Sequence, residues 1–207
     1  MKSWIAASFL SVLASSAAAN FEGCTKNERL VIERAAVAAK GLAVFAAAAV
    51  GDTEIYARWF GQYSTANAEA VRRNLKSIAR TIRSGEVTYQ CDPAGFGSCD
   101  NATYAFVYDD QPYRVHLCQN FFRQPVMASL RPGSRFSDNG TRAGTIIHEV
   151  SHFRVVAATD DNCYTREVCQ EHAQRRPRSA VQNADSYQYF AEDVVHYADR
   201  QATTGGN

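Results

Sequence analysis

His148, Glu149, Val150, Ser151 and His152 set two imidazoles four positions apart, with a carboxylate beside the first. An α-helix turns once in about 3.6 residues, so the two histidines would project from one face, a turn apart, with ring nitrogens able to converge on one metal ion. Glu149 follows the first of them, where its carboxylate can reach a water at the metal without ligating the ion itself. These are the parts of a metal-assisted hydrolase, because zinc lowers the pKa of a water and a nearby carboxylate can take the proton. A protein that only carries zinc needs the ligands and has no use for Glu149. A secreted zinc-binding or host-interacting protein that keeps such a scaffold without proteolysis is the alternative.

A catalytic zinc needs a third protein ligand and one open position. The residues that follow His152 are FRVVAATDDNCY, ending at Tyr164. No H-x-x-G-x-x-H continuation is present, and no distant glutamate stands on a clear helical E-x-x-x-D pattern. From the five residues alone the third ligand stays open.

The elements that must position these groups can be read from periodicity and capping. Thr25 and Glu28 form a T-x-x-E capping box that opens an Ala-rich helix to about Val50, stopped by Gly51-Asp52. Residues 54–63 read as a short helical turn or loop rich in aromatics. Ala70, Val71, Leu75, Ile78, Ala79 and Ile82 recur at helical spacing between 66 and 84, with Gly85 as C-cap. Short β-branched and aromatic runs then follow at Val87–Gln90, Tyr104–Tyr108 and Tyr113–Leu117, the last two joined as a hairpin by Asp109-Asp110-Gln111-Pro112. A short helix is predicted over 121–130 and a loop over 132–141. Helix returns from Gly144, where Ile146, Ile147 and Val150 would anchor the histidine-bearing face to the core. A last helix is predicted over 181–200, with Ala184, Tyr187, Ala191, Val194, Val195 and Ala198 on its buried stripe. The fold class is α+β, mainly α, with a helical core and a small antiparallel β-sheet.

Met1-Lys2, an apolar stretch from Trp4 to Leu13 and the small residues up to Ala19 have the layout of a secretory signal peptide cleaved after Ala19, leaving 20–207 as a single domain. The formal charge of +1 falls to zero once Lys2 is removed with that leader, which argues against nucleic acid or an anionic membrane as partner. Ala35–Val50 is apolar but carries Lys40 and Gly41, which favours a buried helix over a membrane span. A soluble monomer acting on proteins or peptides is the expectation. Six cysteines behind a secretion signal suggest three disulfides, with fifteen pairings open. Sequons at Asn101 and Asn139 would put surface loops there. His116, His172 and His196 lack ligand spacing and read as ordinary surface or structural histidines.

HEVSHF, then Thr159-Asp160-Asp161 and Tyr164, resembles the deuterolysin and peptidyl-Lys metalloendopeptidase family, the aspzincins, whose members pair H-E-x-x-H with G-T-x-D-x-x-Y. The resemblance continues through RWFGQY at 58–63, VHLCQNFF at 115–122, RAGTIIHE at 142–149 and NADSYQYFAED at 183–193. It implies a zincin-like fold and a secreted endopeptidase with one zinc ion held by His148, His152 and Asp161. Glu149 would be the general base and Tyr164 the catalytic tyrosine. Asp160 competes with Asp161 on adjacency alone. Ala158 stands where the family motif usually has Gly, which implies an altered turn, because alanine tolerates a left-handed backbone less well than glycine. The two acidic residues that line the lysine pocket of Lys-specific members correspond to Asp185 and Gln188, which implies a relaxed preference for a basic residue after the scissile bond. The resemblance further suggests the pairs Cys24–Cys91 and Cys99–Cys118, leaving Cys163 with Cys169. Since it begins within a few residues of the presumed cleavage point, little room for a long propeptide is expected.

Overall fold

The computed structural model describes residues 19–129 and 140–197. The leader, the Asn139 sequon and Ala198 lie outside the described residues. A short strand β1 (Asn20–Glu22) leads into helix α1 (Lys26–Ala49), then α2 (Glu54–Phe60) and α3 (Thr65–Ser84). Strands β2 (Thr88–Cys91), β3 (Ala105–Phe106) and β4 (Arg114–Leu117) follow, then α4 (Arg142–His152), α5 (Arg166–Arg175), α6 (Pro177–Ala180) and α7 (Ala184–His196). No helix among the described residues is long and apolar enough to cross a membrane.

The capping box at Thr25 is complete: its hydroxyl accepts from the Glu28 amide, and the Glu28 carboxylate accepts from the Thr25 amide at 2.8 Å. This start satisfies backbone donors that the first helical turn would otherwise leave unpaired. The buried face of α1 is Ile32, Leu42 and five alanines, so α3, α4 and α7 can pack closely against it. Helix α3 ends at Gly85, whose φ of 75° lies in the left-handed region that closes a helix at little cost to glycine.

The sheet corrects one expectation. Its strand order is β1-β2-β4-β3, with β1–β2 and β2–β4 parallel and only β3–β4 antiparallel. The hairpin expected across Asp109–Pro112 is the antiparallel pair, with Ala105 opposite Leu117 and Phe106 opposite His116. β1 and β2 are parallel because a crossover of three helices separates them, and β2 and β4 because the chain passes through the edge strand β3 between them. The sheet is mixed, with β3 on one edge and β1 on the other. Residues 121–129 form two 3₁₀ turns, Phe121–Arg123 and Met127–Ser129, in place of the expected helix. The last helix, expected from about 181, starts at Ala184 after the N-cap Asn183, and the short α6 precedes it.

Helix α7 is buried on almost every side: Tyr187, Phe190 and Ala191 are fully enclosed, and Asp185, Gln188, Glu192 and Asp193 are buried too. Val195, expected on the buried stripe, is 37 % exposed. The acidic residues are tolerated there because each has partners. Arg166 bonds Asp193 at 2.8 Å and Glu192 at 2.7 Å, and its guanidinium lies 4.4 Å from the Tyr189 ring centre. Trp59 donates to Asp193 at 2.9 Å. Glu192 also accepts from the amide and hydroxyl of Thr141, both at 2.8 Å, at the N-terminus of α4. Burial pushes the Glu192 carboxyl up to about 7 against the pull of Arg166 and Thr141. Gly144 makes this approach fit, since a Cβ there would stand 2.1 Å from the Glu192 carboxylate oxygen.

Candidate active site

Helix α4 starts at Thr141, whose hydroxyl accepts from the Gly144 amide at 3.1 Å, and it buries Ile146, Ile147 and Val150 completely. With that face fixed in the core, His148 and His152 point together to the other side, their ring centres 4.9 Å apart. The chain then reverses, with Ala157 and Ala158 both donating to the Phe153 carbonyl. Ala158 has φ of 50°, so the residue standing where the family motif has glycine does adopt the left-handed conformation. A left-handed backbone carries strain at alanine that glycine would not feel. Ala158→Gly is therefore expected to raise stability by about 0.5–1 kcal/mol, read as a shift of the urea midpoint at unchanged activity.

The reversal brings Asp161 back over α4. Its Oδ1 lies 3.2 Å from His148 Nε2 and 3.5 Å from His152 Nε2. Ligands held about 2.0–2.1 Å from a tetrahedral zinc stand roughly 3.3 Å apart. The three groups form a cluster able to hold a metal ion, their donor atoms all within 4.8 Å of one another. Asp160 is not in that cluster. It is exposed, and its backbone is bonded on both sides to the 182–184 segment, Asp160 N to Gln182 O at 2.7 Å and Ala184 N to Asp160 O at 3.0 Å.

The second layer sets which nitrogens are free. His148 Nδ1 donates to Asp185 Oδ1 at 2.8 Å, and His152 Nδ1 donates to the Thr159 carbonyl at 2.8 Å. Both partners are acceptors, so each ring turns Nε2 toward Asp161. The other Asp185 oxygen accepts from the Thr165 amide at 3.1 Å, and Thr165 itself holds φ of 67°. Asn183 Oδ1 accepts from the amides of Asn162 and Cys163, and Cys163 is disulfide-bonded to Cys169. The other disulfides are Cys24–Cys91 and Cys99–Cys118, so all three pairings agree with those expected.

Glu149 is 5 % exposed, and its carboxylate bonds no other side chain among the described residues while lining the cleft. Burial pushes its carboxyl up to about 7, with His148 pulling the other way. Burial would lower His148, but Asp161 and Asp185 hold it well above the ordinary histidine value. His152 is lowered by burial and by His148 beside it. Asp161, despite burial, is drawn down to about 2 by His148 and His152. Three carboxylates thus face two imidazoles, an excess of negative charge that a divalent cation would neutralise. The Tyr164 hydroxyl stands beside Asp161, and burial together with that carboxylate raises it above the ordinary tyrosine value.

These groups lie in a cleft of about 1010 Å³, walled by β3, α4, the 158–165 turn and α7. A family described as lysine-specific metallo-endopeptidase matches residues 45–192. The chain belongs to the aspzincins. An extracellular protease of Aeromonas hydrophila is 35 % identical over 186 residues, 87 % of this chain and 49 % of that protein. A peptidyl-Lys metalloendopeptidase of Pleurotus ostreatus is 32 % identical over 179 residues, 84 % of this chain and 97 % of that protein. The solved zinc peptidase from Grifola frondosa superposes with a TM-score of 0.69 at 26 % identity, covering 82 % of this chain and 97 % of that one. This aspzincin spans about half the length of the Aeromonas relative and nearly all of the Pleurotus one.

Asp185 and Gln188 both line the cleft from α7. Asp185, however, spends its oxygens on His148 and Thr165, which makes it first a support for the metal-facing ring. Gln188 is 4 % exposed, and its amide has no hydrogen-bond partner among the described residues. His116 is buried against Asp92 at 2.7 Å, and His172 bonds Ser179 at 2.9 Å, both structural roles. Arg166, Glu192 and Asp193 were not anticipated as supports of the site. The one sequence signal, for Glu192 and Asp193, is charge inside an otherwise apolar helix pattern, since the partners lie 26 to 135 residues away.

Proposed function

We propose that this chain is a secreted zinc endopeptidase, with His148, His152 and Asp161 as ligands of one zinc ion. The observation that carries the reading is the spacing of those three donor atoms, with the Glu149 carboxylate, unpaired among the described residues, beside them in an open cleft. Zinc, when bound, supplies Lewis acidity toward a water and the scissile carbonyl. Glu149 accepts the proton of the attacking water and afterwards delivers it to the leaving amine nitrogen. The Tyr164 hydroxyl donates to the oxyanion that develops on the carbonyl. Asp185 and the Thr159 carbonyl hold the two rings in the tautomer this requires.

Secretion is supported by the leader-like residues 1–19, by three disulfides and by the name of the Aeromonas relative. Residues 20–207 would then act as one monomeric domain on protein or peptide substrates. The Asn101 sequon lies on an exposed turn, open to a glycosylating host.

Asp185 and Gln188 line the subsite for the residue after the scissile bond. One carboxylate, already bonded to His148, and one neutral amide give a weakened preference for lysine there. Gln188→Glu adds the second negative charge. It is expected to raise the ratio of kcat/KM for lysine over alanine at that position by about tenfold, the worth of roughly 1.4 kcal/mol. Competition between two otherwise identical peptides measures this ratio, and an unchanged ratio would remove Gln188 from the subsite.

The test of the activity is digestion of casein by purified protein. Cleavage should stop with a chelator and return on adding zinc. A protein that binds one equivalent of zinc and cleaves nothing would be a carrier.

A further inference from the structure

The cleft does not end at its edge strand. The Phe106 ring lines it and stacks on buried His116, with centroids 4.7 Å apart, and meets the Tyr108 ring edge-on at 5.2 Å. Beyond Phe106, Tyr108 and Phe96 line a second groove of about 740 Å³ together with Gln111, Pro112 and Arg114. Phe96 is 49 % exposed and Tyr108 38 %. Large rings left in water beside a cleft mark a binding surface when something fixes them there.

The Tyr108 ring is held against Phe106 and His116, and the backbone that carries Phe96 is fixed. Phe96 sits in a tight turn, its amide bonded to the Pro93 carbonyl and its carbonyl to the Cys99 amide, and Cys99–Cys118 ties that turn to the end of β4. Gly97 lets the turn press on the other rings: a Cβ there would lie 2.9 Å from Phe106 and 3.0 Å from the Tyr108 hydroxyl. Beneath them His116 is held by Asp92 at 2.7 Å and Gln111 at 3.3 Å. Arg114 in the groove is already paired with Glu22, and His116 is hydrogen-bonded to Asp92. Among these polar neighbours, which include Gln90 and Gln111, the apolar surface the groove offers a ligand is that of Phe96, Tyr108 and Pro112.

We propose that the Phe96–Tyr108 groove is a distal subsite that takes a large apolar side chain of the polypeptide substrate, several residues from the scissile bond. Continuity singles out the substrate as occupant. Ser98, Phe106 and Asp109 line the catalytic cleft, while Phe96, Tyr108 and Gln111, in the same stretch of chain, line the groove. A substrate extended along β3 runs from one into the other. The inference rests on the endopeptidase reading, and its test separates the two.

Quenched fluorescent peptides would share one short cleavable segment. Longer versions extend it on either side by about six residues, ~20 Å of extended chain at about 3.3 Å per residue. Each extension carries either phenylalanine and leucine or serine in their place. With zinc-loaded enzyme, the apolar extension on one side is expected to lower KM by about tenfold with kcat unchanged, the mark of binding shared by ground and transition states. The serine extension should give no gain. The Phe96→Ala/Tyr108→Ala double variant should cleave the short peptide like wild type and lose the advantage of the long one, and Phe96→Ala alone should lose part of it. An apolar extension without effect on either side, or an advantage that survives in the double variant, overturns the subsite. A short peptide left intact by the wild type overturns the endopeptidase reading, and the subsite with it.

Discussion

Glu149→Gln is expected to lower kcat by about 10²–10⁴-fold while the protein still binds zinc, the loss typical of removing a positioned general base. Glutamine keeps the shape of the side chain and cannot accept the proton. Glu149 is buried and touches the metal only through what would be bound there, so the ligand set His148, His152 and Asp161 is left intact. Burial has pushed its carboxyl up to about 7, so the change to a neutral amide removes a charge that the folded chain holds at some cost. Thermal stability should therefore be equal or slightly higher in the variant. Two readouts check the prediction: metal content by competition with a chromophoric chelator, and kcat with a peptide substrate. Full activity in Glu149→Gln would remove the base assignment. Lost zinc would make the residue a ligand or a support.

Asp161→Ala is expected to abolish both zinc binding and cleavage, with Asp160→Ala as its control at wild-type levels. The two residues are neighbours in sequence and differ completely in surroundings. Asp161 Oδ1 stands within 3.5 Å of both ring nitrogens, whereas Asp160 is exposed, with its backbone bonded to the 182–184 segment. Losing a second-layer partner of a zinc ligand commonly weakens metal affinity by about 10–100-fold, and losing a ligand itself should exceed that. Asp185→Asn, which weakens the hold on His148, should fall between wild type and Asp161→Ala. Chelator competition across these variants would order them, and an Asp160→Ala defect as large as that of Asp161→Ala would reverse the ligand assignment.

How much of this could be read from sequence varied with the distance over which each feature is determined. His148, Glu149 and His152 were legible because helical period alone places them. Asp161 and Tyr164 needed the family register, since no local rule brings a turn back over the helix it has just left. The left-handed backbone at Ala158 was foreseeable from the mismatch of alanine with a glycine position. The sheet was misread in sense: β1 is three residues long and pairs with a strand 68 positions on, beyond any periodicity signal. Buried Arg166, Glu192 and Asp193 were invisible for a related reason, because charge inside a helix becomes intelligible only when its partner from another element is seen. Asp185 was foreseen on the right helix face, while its bond to His148 could not be.

The turn that carries Asp161 is secured at every step by something other than the metal: Thr159 by His152 and Ser151, Asp160 by the 182–184 backbone, residues 162 and 163 by Asn183, Thr165 by Asp185, and Cys163 by Cys169. A zinc ion bound there would therefore enter a turn that is already held and would not have to nucleate it. Capture is then expected to follow a single bimolecular phase in stopped-flow, and protein stripped by a chelator is expected to recover on adding zinc. On the proposed reading of a secreted enzyme, the metal could be acquired last, from whatever the destination supplies.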